Sequence, residues 1–129
     1  MKTLRVGIAS LEEMKRRTLA IAGGELKPGR GEPKVWFTSA ESFAKILSDK
    51  NRALLGTIAE ARPGSLSELE TLTGRRKSNL SRTLKTLERY GLVRLRKGER
   101  GRVIPEVPYS EISLVMPLKP RSRREARAA

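Results

Sequence analysis

The sequence contains neither cysteine nor histidine. Without cysteine there is no disulfide framework, no thiol nucleophile and no thiol-based redox sensor. Without either residue, Cys/His zinc sites are excluded, as are triads and general-base schemes built on imidazole. Aromatic residues make up only 4% of the chain, too few for the exposed rings on which single-strand binders stack bases. No apolar run approaches the roughly 20 residues of a membrane span. The start, MKTLRVGIAS, is basic but lacks the apolar stretch of a signal peptide. Phosphate-loop and nucleophile-elbow motifs are missing too. The expectation is a soluble, cytoplasmic protein with no membrane partner, metal, cofactor or catalytic residue: a binder, not an enzyme.

Acidic residues are also scarce: 14 stand against 28 Lys and Arg, a net charge of +14 in 129 residues. Such a balance favours a polyanionic partner. The excess is unevenly spread. Residues 75–102 hold eleven basic residues and only Glu88 and Glu99 in opposition, a net +9 in about a fifth of the chain. Another +4 falls in residues 119–129. A concentration of this kind marks a binding footprint more than a generally basic surface.

The length suits one domain with an appendage. Leu4, Val6 and Ile8 alternate as a short strand, and Ser10 to Glu13 form a capping box that opens a helix. Leu11, Met14, Thr18 and Ile21 are its apolar stripe, and Gly23-Gly24 ends it. Residues 23–34 are rich in Gly, Pro and charge and read as a linker. Val35-Trp36-Phe37 is an apolar strand whose Trp, the only one, reads as a core anchor. Thr38 caps a helix carrying Phe43, Ile46 and Leu47. Asp49 caps the next, with Leu54, Leu55 and Ile58 inward. Ser65-Leu66-Ser67-Glu68 is a further capping box and starts a short helix with Leu66, Leu69 and Leu72.

Thr73-Gly74 turns the chain into the helix predicted for residues 77–90. At about 100° per residue, Leu80, Leu84 and Leu87 share one stripe. Ser78, Arg82, Lys85 and Arg89 share the opposite one, with Asn79, Thr83 and Thr86 between. Taken alone, this helix could simply expose a solvated basic face. Its neighbours argue otherwise. A short helix, a tight turn with Gly and a second helix form a helix-turn-helix pattern. A hairpin follows over residues 92–107, with a loop at Lys97–Gly101 and Pro105 confined to an edge or strand end. Pro108-Tyr109-Ser110 breaks the pattern before a last strand, Ile112 to Leu118. Residues 119–129 lack hydrophobic period and are expected to be a disordered basic tail.

The fold class expected is therefore α+β, mainly α: a winged helix-turn-helix over residues 35–118, preceded by a β-α extension and linker over 1–34 that is a candidate for dimerisation. The run Ser65 to Arg102, above all Ser81 to Val93, SRTLKTLERYGLV, resembles MarR-like transcriptional regulators of bacteria and archaea. With KVWFTSAESFAKILS ahead of it, the chain resembles a compact group of predicted prokaryotic regulators, members of which are often considered antitoxins. The resemblance implies DNA binding, dimerisation and gene regulation. It does not carry over the usual MarR dimer, because nothing after Val107 reads as the required long helix.

In such a fold the start of the second helix reads base edges in the major groove. Lys77, Ser78, Asn79 and Arg82 are the candidates. Arg75, Arg76, Ser81, Lys85 and Arg89 are assigned to the DNA backbone. Arg94, Arg96, Lys97, Arg100 and Arg102 form the wing, on phosphates or in the minor groove. The function expected is that of a homodimeric repressor on double-stranded DNA. The alternative is an antitoxin that neutralises a toxin protein and regulates its own operon. An RNA-binding winged helix is a third reading.

Overall fold

The structure, a computed structural model, describes residues 2–27, 29 and 32–118. The tail 119–129 lies outside these residues, as do Pro28, Arg30 and Gly31 of the expected linker. The described residues form an α+β fold of five α-helices and five strands. Their order is β1 (Lys2–Ile8), α1 (Leu11–Ala22), β2 (Val35–Phe37), α2 (Ala40–Ile46), α3 (Asp49–Ala61), α4 (Leu66–Thr73), α5 (Lys77–Arg89), β3 (Arg94–Lys97), β4 (Val103–Glu106) and β5 (Tyr109–Val115). None of the described helices is long and apolar enough to cross a membrane.

The chain divides into two compact units. Among the described residues the first comprises Thr3–Lys45 and residues 112–118, and it carries a three-stranded sheet of order β2-β1-β5. Strands β1 and β2 are parallel, with Val6 opposite Val35, Gly7 opposite Trp36 and Ile8 opposite Phe37. Parallel neighbours need a crossover, and α1 supplies it. Ser10 caps α1 by accepting from the Glu13 N–H at 3.1 Å. Val6, Val35 and Phe37 are buried, and Phe43 meets Phe37 edge-on with ring centroids 5.5 Å apart.

This pairing moves the boundary expected between residues 34 and 35. The strand Val35–Phe37 completes the sheet started by β1, so it belongs with the N-terminal segment. The end of the expected linker is built into the same unit. Lys34 N–H donates to the Arg5 carbonyl at 3.1 Å, Pro33 is buried, and Glu32 pairs with Arg17 at 2.9 Å. Two caps fall one residue from their expected places. Ser39, not Thr38, accepts from the Ser42 N–H, and Ser48, not Asp49, accepts from the Asn51 N–H. Leu11 and Leu72, both expected inward, are 74% and 50% exposed.

The second unit comprises Ile46–Glu111 together with Lys2. Helix α4 packs on both α3 and α5, α3 and α4 both touch β4, and α5 touches β3. Its core is Leu54, Leu55, Ile58, Leu66, Leu69, Leu80, Leu84, Leu87, Leu92 and Val93. The two-stranded sheet is an antiparallel hairpin, with Arg94 opposite Glu106 and Lys97 opposite Val103. Both strands are edges, so Pro105 is accommodated inside β4 opposite Leu95 without cost to a ladder on its far side.

Tyr109 does not break the pattern; it begins β5. Its ring is buried and its hydroxyl donates to the Leu92 carbonyl, which ties the chain beyond the hairpin to the end of α5. Burial pushes the Tyr109 hydroxyl up from 10.0 to about 12.

Candidate nucleic-acid interface

Helix α5 is held from beneath. Leu80, Leu84 and Leu87 are each 1% exposed or less. Burying three leucines contributes roughly 1.5–3 kcal/mol apiece before the cost of ordering the chain, enough to fix which face looks outward. The turn into α5 depends on Gly74, whose φ of +72° lies in the left-handed region. Its N–H donates to the Glu70 carbonyl at 2.8 Å and closes α4. At the far end Gly91, with φ +82°, lets the Leu92 N–H reach back to the Leu87 carbonyl at 2.9 Å.

The N-cap of α5, Arg76, makes no side-chain capping bond. The need is met from the neighbouring helix: the Glu70 carboxylate accepts from the Lys77 N–H at 2.9 Å. A carboxylate there satisfies an orphan donor and complements the positive end of the helix dipole. Lys77 is then held twice, since its ammonium donates to Ser67 Oγ at 3.2 Å. Sequence reading had no route to Glu70, which lies seven residues away on another helix. The Glu68 carboxylate is similarly displaced from its own box and accepts from the Gly64 N–H.

Ser78, Asn79 and Arg82 are exposed on the outer face with Lys85 and Arg89 further along it. Ser81 is half-buried at its margin. Arg75 differs from the rest. It is half-buried, its Nη2 donates to Thr83 Oγ1 at 3.2 Å, and its Nη1 is buried with no hydrogen-bond partner among the described residues. That geometry makes Arg75 a brace between the turn and α5 more than a freely reaching cation.

In the hairpin, Arg94, Arg96, Lys97, Arg100 and Arg102 are all exposed. The tip turns through Glu99–Gly101, where Arg100 and Gly101 take φ of +60° and +72°. For Arg100 that conformation is uncommon for a residue with a side chain. The Gly98 N–H donates to the Arg102 carbonyl at 2.7 Å and closes the turn. Arg96 is not unengaged: its Nε donates to Glu106 Oε1 at 2.5 Å. Among the described residues, Arg76, Lys85, Arg89, Arg94, Lys97, Arg100 and Arg102 have no ion-pair partner.

The outcome is a small α+β protein whose helical unit carries one strongly basic helix and a basic hairpin on a leucine core. The chain belongs to the HVO_A0114 family, whose model matches residues 46–114. That match begins at the first residue of the Ile46–Glu111 segment and runs three residues past its end. No match was found among curated proteins or among solved structures.

Proposed function

We propose that the protein is a sequence-specific double-stranded DNA-binding regulator of the MarR-like, winged helix-turn-helix kind, acting as a homodimeric repressor. The observation that carries this reading is helix α5, with three leucines fully inward and Ser78, Asn79, Arg82, Lys85 and Arg89 outward. In this reading α4 and α5 are the helix-turn-helix and β3 and β4 the wing. The exposed Asn79 and Arg82 supply the types that pair with adenine and guanine edges in the major groove. Lys77 contributes with a restrained side chain, and Ser78 adapts to either partner. Arg76, Lys85, Arg89 and the hairpin cations take phosphates, which set affinity and register without choosing sequence.

A unit this small reads few base pairs, so two copies are needed for useful specificity. Half-sites about one helical turn apart follow from that geometry. The test is a gel-shift comparison at moderate salt. Binding to a fragment from upstream of the protein's own gene should exceed binding to random duplex of equal length, and Arg82→Ala should reduce that difference. Equal binding to both duplexes refutes the proposal. Stronger binding to structured RNA than to duplex DNA moves it to a different class.

A further inference from the structure

The sheet-bearing unit contains a cavity of about 270 Å³ whose lining includes Ala9, Glu13, Arg16, Arg17, Ala20 and Trp36. A twelve-residue helix at a protein surface normally buries a stripe of side chains, yet α1 buries none completely. Two alanines, Ala9 and Ala20, stand where larger side chains would fill the gap.

Trp36 has a different setting from its strand neighbours. Val35 and Phe37 point into the core, and Trp36, on the other side of β2, is only half-buried. Its indole lies against Gly7, where a Cβ would come within 2.5 Å of the ring. The Arg17 guanidinium lies 5.2 Å from the ring centroid. That distance is within cation–π range. Glu32 fixes Arg17 at 2.9 Å, so that charge is already neutralised. Among the described lining residues the other charged groups are Glu13 and Arg16, one acceptor and one donor of opposite sign. The described lining is thus mostly apolar and aromatic, and its charges sum to zero.

We propose that this cavity binds a small, uncharged, planar heteroaromatic molecule of one or two rings, packed beside Arg17 against the part of the Trp36 indole that lines it. Glu13 and Arg16 supply an acceptor and a donor at its edge. Size decides the ring count, since the volume lies below the range of about 300–1,000 Å³ typical for drug-sized ligands. Charge balance decides against anions: a carboxylate would face Glu13 as well as Arg16 and lose its hydration. The site is separate from the basic helix and does not depend on DNA binding.

The chain has one Trp, so its emission reports on this cavity alone. The full protein is titrated with benzimidazole, benzoate and cyclohexanol, with excitation at the red edge where none of them absorbs. Benzimidazole should give a saturable change with a Kd of about 1 mM or tighter. Benzoate and cyclohexanol should bind at least tenfold more weakly. Ala20→Leu, which fills the cavity, should weaken benzimidazole at least tenfold while the circular dichroism is retained. If that variant does not fold, Arg16→Leu at the exposed rim takes its place, with a loss of threefold or more expected. A linear, unsaturable response overturns the proposal. So does benzoate or cyclohexanol binding as tightly as benzimidazole, or a folded Ala20→Leu protein that binds it unchanged.

Discussion

Arg96 is the cation whose behaviour best tests how the basic surface is used. Seven exposed cations, Arg76, Lys85, Arg89, Arg94, Lys97, Arg100 and Arg102, have no ion-pair partner among the described residues. If all seven neutralise phosphates, log K should fall against log salt with a slope of about −6 per protein chain, at about 0.9 per contact. Arg96 begins from another state, bonded to Glu106 at 2.5 Å across the hairpin. At 0.1 M salt, releasing 0.9 of a counterion is worth about 1.2 kcal/mol. Breaking an exposed ion pair costs about 0–1 kcal/mol. The difference leaves about 0.2–1.2 kcal/mol, so Arg96 should contribute less than an unpaired cation does. Fluorescence anisotropy on a labelled duplex over a several-fold range of salt measures this. Lys85→Ala and Arg89→Ala should each flatten the slope by about 0.9, and Arg96→Ala by less than either. Glu106→Gln releases Arg96 and should both tighten binding and steepen the slope by about 0.5–0.9. If Arg96→Ala flattens the slope as much as Lys85→Ala, the reasoning about Glu106 fails. If the unaltered protein gives a slope shallower than about −2, no more than about two phosphates are neutralised and the seven-contact surface fails.

Further outcomes follow from Tyr109 and Glu70. Tyr109 keeps its proton more tightly folded than unfolded, with its ionisation raised from 10.0 to about 12. Its contribution is therefore fully present below pH 10 and is lost as pH rises towards 12. Thermal melts should show a fall across that window that Tyr109→Phe makes shallower, and an equal fall in both proteins contradicts the assignment. Tyr109→Phe should also cost about 1–3 kcal/mol near neutrality, because the buried Leu92 carbonyl loses its donor. Glu70→Ala should cost about 1 kcal/mol in urea unfolding, as an N-cap loss does, since it strips the acceptor from the Lys77 N–H. Glu70→Gln, which keeps an acceptor, should cost less than half as much; equal losses would mean that charge at the helix end matters and the hydrogen bond does not.

What could be read from sequence was local. Three leucines at helical spacing defined the buried face of α5, because periodicity is a property of one segment. Ser10 and Ser65 were recognisable caps for the same reason. Thr38-Ser39 and Ser48-Asp49 each offer two good capping residues side by side, and only the path of the chain chooses between them. Partnership across the chain was not legible. Nothing in Val35-Trp36-Phe37 says that it pairs with Val6-Gly7-Ile8, and a strand pattern does not carry its partner's address. Gly7 did carry a hint, since glycine inside a strand signals close approach, here of the Trp36 ring. The candidate interface was legible as a list of exposed cations. The restraints on it were not: Thr83 holding Arg75, Glu106 holding Arg96 and Glu70 capping α5 all join residues seven or more apart in sequence.

The chain order of the sheet has a consequence for how the protein is made. Strand β1 is synthesised first and β5 last, and all of residues 46–108 lie between them. On the ribosome, β1 and β2 emerge early and can pair across the α1 crossover. The third strand does not exist until the helical segment has been translated. Domains generally fold as units as they emerge. Helices α3 to α5 and the hairpin are therefore complete while the sheet still lacks its third strand. A stop codon anywhere before Tyr109 leaves the N-terminal sheet one strand short, even where every helix of the other unit is complete.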